Sequence, residues 1–241
     1  MSWRNANTLT YDNKKLFKGR DKLNVLIGHE VSSNQKKSIE NVSVAFPVTM
    51  NFDDMKANMG SGKALANQST IAAKENILSF FGRVNYTMMD KYLLAVTVRA
   101  DGSSKFGSGN RWGVFPSFSA GWRISQEGFM QDINWINNLK LRASWGQLGN
   151  INNVGQYDYF SSYQQGGNYN FEDAIVSGIV ESKPANPTLG WETVTITDIG
   201  VDFDIFNGLL NFTADYYNKK TDDILLAYPS PKEIGIGSDF K

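Results

Sequence analysis

The sequence predicts an all-β fold: an antiparallel, up-and-down sheet of the kind that forms the wall of a transmembrane β-barrel. Three observations predict it. Apolar and polar residues alternate over runs often ten residues or longer, against the ~5–6 of soluble sheets. Connections largely alternate between short turns and long stretches rich in Gly, Asn and Ser. Aromatic residues fall near the strand ends. A soluble or surface-attached β-sandwich that binds carbohydrate stays open as the second reading, because its strands also alternate. Strand length and basic residues spread over the polar face favour a barrel with a water-filled lumen.

Side chains alternate across a strand, so residue parity assigns faces. Near the start, Leu23, Val25, Ile27 and Val31 oppose Lys22, Asn24 and Glu30. Phe52 to Ala73 breaks the pattern and reads as a long loop with one helical turn. Leu78, Phe80, Val84, Tyr86 and Met88 oppose Ser79, Arg83, Asn85 and Thr87. The turn Met89-Asp90-Lys91 leads to Tyr92, Leu94, Val96, Val98 and Ala100, opposite Lys91, Thr97, Arg99 and Asp101. Asp101 to Asn110 is a loop. Trp112, Val114, Pro116, Phe118, Ala120, Trp122 and Ile124 then share one face. Gly113, Ser117, Ser119, Gly121 and Arg123 lie on the other, with Phe115 as the exception.

Further on, Leu139, Leu141, Ala143 and Trp145 oppose Lys140, Arg142, Ser144 and Gly146. Gly149 to Gly190 is the longest connection. Ile199, Val201, Phe203 and Ile205 oppose Asp198, Asp202 and Asp204, and Asn207-Gly208 turns the chain into Leu210, Phe212, Ala214 and Tyr216. Trp112, Trp122, Trp145, Trp191, Tyr86, Tyr92 and Tyr216 read as interfacial girdles, where an amphipathic ring is favoured. One domain covers residues 1–241, with loop-rich insertions at about 46–74 and 149–190.

Composition narrows the function. Lys+Arg and Asp+Glu are equal at 24 each, so the basic excess that drives nucleic-acid binding is missing. With no Cys, thiolate zinc sites, redox dithiols and thiol nucleophiles are excluded. His29 is the one histidine and reads as a strand residue facing lipid headgroups or a partner strand. No apolar run reaches the ~18 residues of a membrane helix. Barrel strands need only ~9–11 residues, apolar at every second position, and a mean hydropathy of −0.35 suits them. After Met1 no apolar signal-peptide core follows, and we read the chain as starting inside a longer protein.

Motifs for chemistry are weak. Gly60-Ser61-Gly62-Lys63 and Gly107-Ser108-Gly109 lack the spacing of a phosphate loop. Asp53-Asp54, Glu172-Asp173 and Asp222-Asp223 lack calcium-loop spacing and read as solvated charge. No nucleophile–base or paired-acid constellation assembles, so no catalytic residue, metal or cofactor is expected. Tyr157, Tyr159, Tyr163, Tyr169 and Phe171, with Phe160, stand among Gln, Asn and Gly, a mix that can stack on and hydrogen-bond a sugar or peptide. The alternative is a loop packed on its own aromatics or on a lid protein. Arg83, Arg99, Arg123 and Arg142, with Lys140, either line a conduit or are ordinary solvated barrel interior.

Several strings are more specific. Leu78-Ser-Phe-Phe-Gly-Arg-Val-Asn-Tyr86, Asp90-Lys-Tyr-Leu-Leu94 and Val98-Arg-Ala-Asp-Gly-Ser-Ser-Lys-Phe-Gly107 come first. Asn110 to Ile124, Leu139 to Asn150, Asn186 to Thr193 and Phe212 to Thr221 follow in order. Over residues ~75–230 the chain resembles the barrel of SusC/RagA-type TonB-linked outer-membrane proteins of Bacteroidetes. That resemblance implies a closed barrel of roughly twenty-two strands in outer-membrane lipids, with a plug domain in its lumen. It implies a SusD-like lipoprotein over the mouth, a glycan or peptide substrate, and energy from TonB acting through the plug. This chain shows no plug, no TonB box, no terminal aromatic strand and only about nine or ten strands. It therefore reads as an excerpt, expected neither to insert stably nor to transport alone.

Overall fold

The computed structural model describes residues 1–65, 68–171 and 174–226. Strand β1 (Ser2–Lys15) passes through one helical turn, α1 (Leu16–Gly19), into β2 (Asp21–Asn34). An excursion follows, with β3 (Lys37–Glu40), β4 (Ser43–Val44), α2 (Phe52–Ala57), β5 (Lys63–Ala64) and β6 (Gln68–Ile71). The chain then returns through β7 (Glu75–Met88), β8 (Tyr92–Ser103), β9 (Trp112–Arg123) and β10 (Ile136–Asn150). A second excursion carries β11 (Ser162–Phe171) and β12 (Ala174–Lys183) before β13 (Glu192–Ile205) and β14 (Leu210–Asp222).

Eight strands form one antiparallel sheet in the order β1-β2-β7-β8-β9-β10-β13-β14, each pairing with the next long strand of the chain. The sequence suggested nine or ten such strands. The remaining pairing instead closes three two-stranded ribbons, β3–β6, β4–β5 and β11–β12, outside the sheet. The loop expected at Phe52 to Ala73 does contain a helical turn, α2, where the Asn51 side chain accepts from the Asp54 amide at 2.9 Å. It also holds β5 and β6, whose pairings are too short to leave a period-two signal.

The connections divide by end. At one end, called here the turn end, lie α1, Met89–Lys91, the link 124–135 and the turn 206–209. The excursions 35–74 and 151–191 and the loop 104–111 lie at the other, the loop end. Met89 and Asp90 have φ of 51° and 57°, the left-handed values of a two-residue hairpin turn. The Met89 strain is offset by the Asp21 carboxylate, which accepts from the Met89 amide at 3.1 Å. Asn207 and Gly208 repeat the left-handed geometry, and the Asn137 side chain accepts from the Asn207 amide at 2.7 Å.

Register carries each face across the sheet. Tyr11 pairs with Val25, Val25 with Val84, Val84 with Val96, Val96 with Phe118 and Phe118 with Trp145. One row on, Leu94, Ala120, Ala143, Ile199 and Tyr216 align in the same way. Among the described residues no second sheet covers this apolar face: Leu94, Val96 and Leu141 are 49, 51 and 41 % exposed. The sandwich reading is thereby corrected, because its inter-sheet side chains would be buried. Buried apolar side chains are instead few, chiefly Phe106, Phe115, Val154, Leu189 and Ile205. The polar face is the crowded one, with Ser79, Asp101 and Ser103 buried there. Side chains converge on the inside of a curved sheet, so this asymmetry is that of a wall curved toward its polar face.

Aromatics mark both ends. Tyr92 and Trp122 stack at 6.5 Å at the turn end, and Trp112 stacks with Phe80 at 6.2 Å toward the loop end. Trp145 and Tyr216, expected at the ends, lie mid-strand.

Candidate functional site

Parity places Arg83, Arg99, Arg123 and Arg142 on the polar face, and the pairings keep them there: Arg83 pairs with Thr97, Phe81 with Arg99, and Lys140 with Arg123. Most of these charges are already engaged. Arg99 Nε donates to both Asp101 oxygens at 2.8 and 2.9 Å, and its Nη2 donates to Ser79 Oγ at 2.9 Å. The Arg99 guanidinium also lies 5.5 Å from the Phe81 ring centroid. Arg83 Nε donates to Thr97 Oγ1 at 3.3 Å. Arg142 Nη2 meets Asp215 at 2.7 Å, and its Nε lies 3.1 Å from Asp202, which Lys140 approaches at 3.8 Å. Arg123 sits apart from these, at the turn end, where Nη1 donates to the Asp90 carbonyl at 3.2 Å.

The chemistry of such a face is accommodation. Arg99 and Arg142 are paired with carboxylates, whereas Arg83 meets a hydroxyl and Arg123 a backbone carbonyl, so the face offers hydrogen-bonding groups with part of its positive charge unbalanced. Glycines let the long side chains lie flat. A Cβ on Gly149 would fall 2.2 Å from Phe115, and one on Gly28 2.7 Å from Phe81. Phe115, the parity exception, thus covers a gap in the wall. Among the described residues, no group of three His, Cys, Asp or Glu side chains could hold a metal.

At the turn end the structure assembles a clamp that sequence reading missed. Glu127, between two 3-10 turns (Ile124–Gln126 and Gly128–Met130), accepts from Lys91 Nζ at 2.8 Å, Tyr92 Oη at 2.7 Å and Trp122 Nε1 at 3.1 Å. Lys91 first, then Tyr92 and Trp122, pull its carboxyl down from 4.5 to about 2. Asp21 holds the other flank of the turn by hydrogen bonds alone, accepting from Tyr86 Oη and the Met89 amide.

At the loop end a small core forms above the sheet. Phe106, Val154 and Leu189 are buried, with Ile151, Tyr159 and Trp191 packed on them. Trp191 lies 5.3 Å from Phe106, and its Nε1 donates to the Arg111 carbonyl at 3.0 Å. Asp158 accepts from the Gly155 amide at 2.7 Å and pairs with Lys183 at 2.5 Å. The Gly149–Gly190 stretch is therefore tethered along much of its base. A depression of about 600 Å³ lies beside this core, lined by Asn110, Trp112, Asn186, Trp191 and Asp223 among others.

The aromatic candidates divide. Tyr159 turns into the loop core, 4.2 Å from Phe160. Tyr157, held at φ 67°, and Tyr163 are exposed near it. Phe171 is exposed but lies at the far end of β11, roughly 25 Å along the strand from Tyr163. These residues do not converge on one pocket. The Tyr169 side chain and the Glu172-Asp173 pair fall outside the described residues.

Comparison with known proteins bears on what this wall belongs to. The sequence pattern of the family described as TonB dependent receptor-like, beta-barrel, matches residues 3–237. The chain belongs to this TonB-dependent receptor β-barrel family. Members are outer-membrane proteins, so the exposed apolar face is the one that meets lipid. The barrel chain is 37 % identical over 179 residues to the TonB-dependent receptor SusC of Bacteroides thetaiotaomicron, covering 73 % of this chain and 17 % of SusC. It is 35 % identical over 245 residues to the TonB-dependent receptor P26 of Formosa agariphila, covering 99 % of this chain and 24 % of that one. Among solved structures, the RagAB peptide transporter superposes with a TM-score of 0.81 at 30 % identity, over all of this chain and 26 % of that one. The RagAB peptide importer in its open-open state superposes at 0.77. This TonB-dependent receptor chain thus spans about a quarter or less of its relatives' length.

Proposed function

We propose that the chain forms a wall sector of an outer-membrane importer for large polar nutrients, glycans or peptides. The family match over 3–237, on an eight-stranded sheet with one apolar and one polar face, carries this reading. In this role β1 and β14 continue into further strands, since lipid does not tolerate unpaired backbone edges. The loop end faces outward and the turn end faces the periplasm. Arg83, Arg99 and Arg142 face a lumen that holds a plug domain, and TonB acts through that plug. A SusD-like lipoprotein seats over the loop rim. Tyr157 and Tyr163 contact substrate there, while Tyr159 supports the loop. Residues 1–241 are one domain, with loop excursions facing that partner. The chain does no covalent chemistry and takes no cofactor.

Uptake by cells carrying the full-length protein tests this. Labelled oligosaccharides and peptides are offered to wild type and to a Tyr157→Ala/Tyr163→Ala double variant. Uptake of one class, abolished without TonB and reduced several-fold in the variant, is expected. TonB-independent uptake, or none of either class, contradicts the reading.

A further inference from the structure

The ribbon β11–β12 pairs with none of the eight wall strands, and among the described residues β12 pairs with β11 alone. Its base is held: the Ser162 and Ser182 hydroxyls lie 2.9 Å apart, and Lys183 meets Asp158. Beyond that base, no described strand covers the other edge of β12, a strand of 10 residues.

Proteins blunt the edges they do not use, by shortening them, charging them, bending them with bulges or placing proline there. The neighbouring ribbons follow that rule. Strands β3 and β6 have 4 residues each, with Lys37 and Glu40 on β3, and β4 and β5 have 2 each. Strand β11 is kinked where Gln165 to Asn168 runs opposite only Ile179 to Ser177, an extra residue on β11. The β12 edge carries none of these devices from Ala174 to Val180. Its sequence Ala-Ile-Val-Ser-Gly-Ile-Val holds no charge and no proline, and Ile175 and Ile179 are 79 and 71 % exposed.

The chemistry of the edge selects its occupant. Alternate residues of a strand offer amides and carbonyls at a repeat of ~7 Å, which a second extended backbone matches and the hydroxyls of a glycan do not. The side chains favour a passing chain over a fixed partner. Fixed protein interfaces concentrate their energy in Trp, Tyr and Arg, and Ala174 to Val180 has none. Ser177 and Gly178 break the apolar run, so main-chain bonds, which are indifferent to sequence, carry most of the contact. The edge begins next to Glu181, the cross-strand partner of Tyr163.

We propose that the β12 edge binds the imported substrate as an extended peptide, added as a third strand of the ribbon. The proposal rests on the importer reading and narrows its substrate to peptides. Binding to purified protein is measured apart from uptake, so the two fail separately.

The test is fluorescence anisotropy with full-length protein purified in detergent and a labelled peptide of alternating threonine and valine. Wild type binds it saturably. The same peptide N-methylated at every second amide keeps one pairing edge and still binds, whereas methylation of every amide weakens binding about tenfold or more. Ile175→Lys/Ile179→Lys charges the edge at side chains that are already exposed, so the fold is kept and binding weakens several-fold. Val48→Lys, the same charge on the first excursion, leaves binding unchanged. A linear oligosaccharide does not compete. No saturable binding by wild type, equal binding of the fully methylated peptide, competition by the oligosaccharide, or wild-type affinity in the double variant each overturns the proposal. A double variant that sheds a co-purifying protein or a second copy, yet holds the peptide as wild type does, makes the edge a protein contact and overturns it too.

Discussion

The Arg142 guanidinium reaches the Asp215 carboxylate across β13, at 2.7 Å, by passing over Gly200. Any Cβ at Gly200 would lie 2.2 Å from Asp215 Oδ1 and 2.8 Å from Arg142 Nη2. Gly200→Ala therefore pushes the two charged tips apart and loses this part-exposed pairing, at up to about 1 kcal/mol. Gly82→Ala, on open space, stays within about 0.5 kcal/mol. Urea unfolding midpoints of the two variants in the full-length protein check the contrast, and equal midpoints would refute it.

Glu127 predicts an acid response at the turn end. Its folded pKa of about 2 lies below the ordinary 4.5, so its contribution is complete above 4.5. It is lost as pH falls through about 2. Hydrogen exchange at Lys91 to Trp122 should quicken across that window in wild type. In Glu127→Gln exchange is faster at neutral pH and loses this step. An unchanged acid step in Glu127→Gln would assign it to another carboxyl.

Phe106 predicts a separation of rim from wall. Its side chain is fully buried between loops, so Phe106→Ala costs about 3–5 kcal/mol locally. Exchange protection in 104–111 and 151–161 falls, while protection of β8 at Leu94 to Ala100 and of β9 at Val114 to Phe118 holds. Uniform loss over both would mean the rim and wall unfold together.

Much of this architecture is legible in the sequence because a strand's side-chain period is two. Parity along Tyr92–Ala100 and Leu139–Trp145 assigns the faces, and it groups Arg83, Arg99, Arg123 and Arg142 on one of them independently of strand pairing. Arg99 and Asp101, two apart on one face, could have been paired on the same logic. What parity cannot reach is contact between distant segments. Lys91 and Glu127 meet across 36 residues, and Arg142 and Asp215 across 73. Tyr157 and Tyr159 look alike in sequence, and only loop packing separates the exposed ring from the packed one. Gly82 and Gly200 likewise differ only in what their neighbours place beside them.

The wall's orientation is the claim on which the rest depends, and site-directed spin labelling tests it most directly. The described sector contains no Cys, so Val96→Cys and Thr97→Cys place nitroxides on adjacent residues of β8 in this sector. In the full-length protein in membranes, oxygen should collide preferentially with the label at 96 and a water-soluble nickel chelate with that at 97. The same period-two alternation should run from Leu94 to Val98. Equal nickel access at 96 and 97, or protection of 96 from both reagents, would mean the apolar face is not against lipid and would contradict the account.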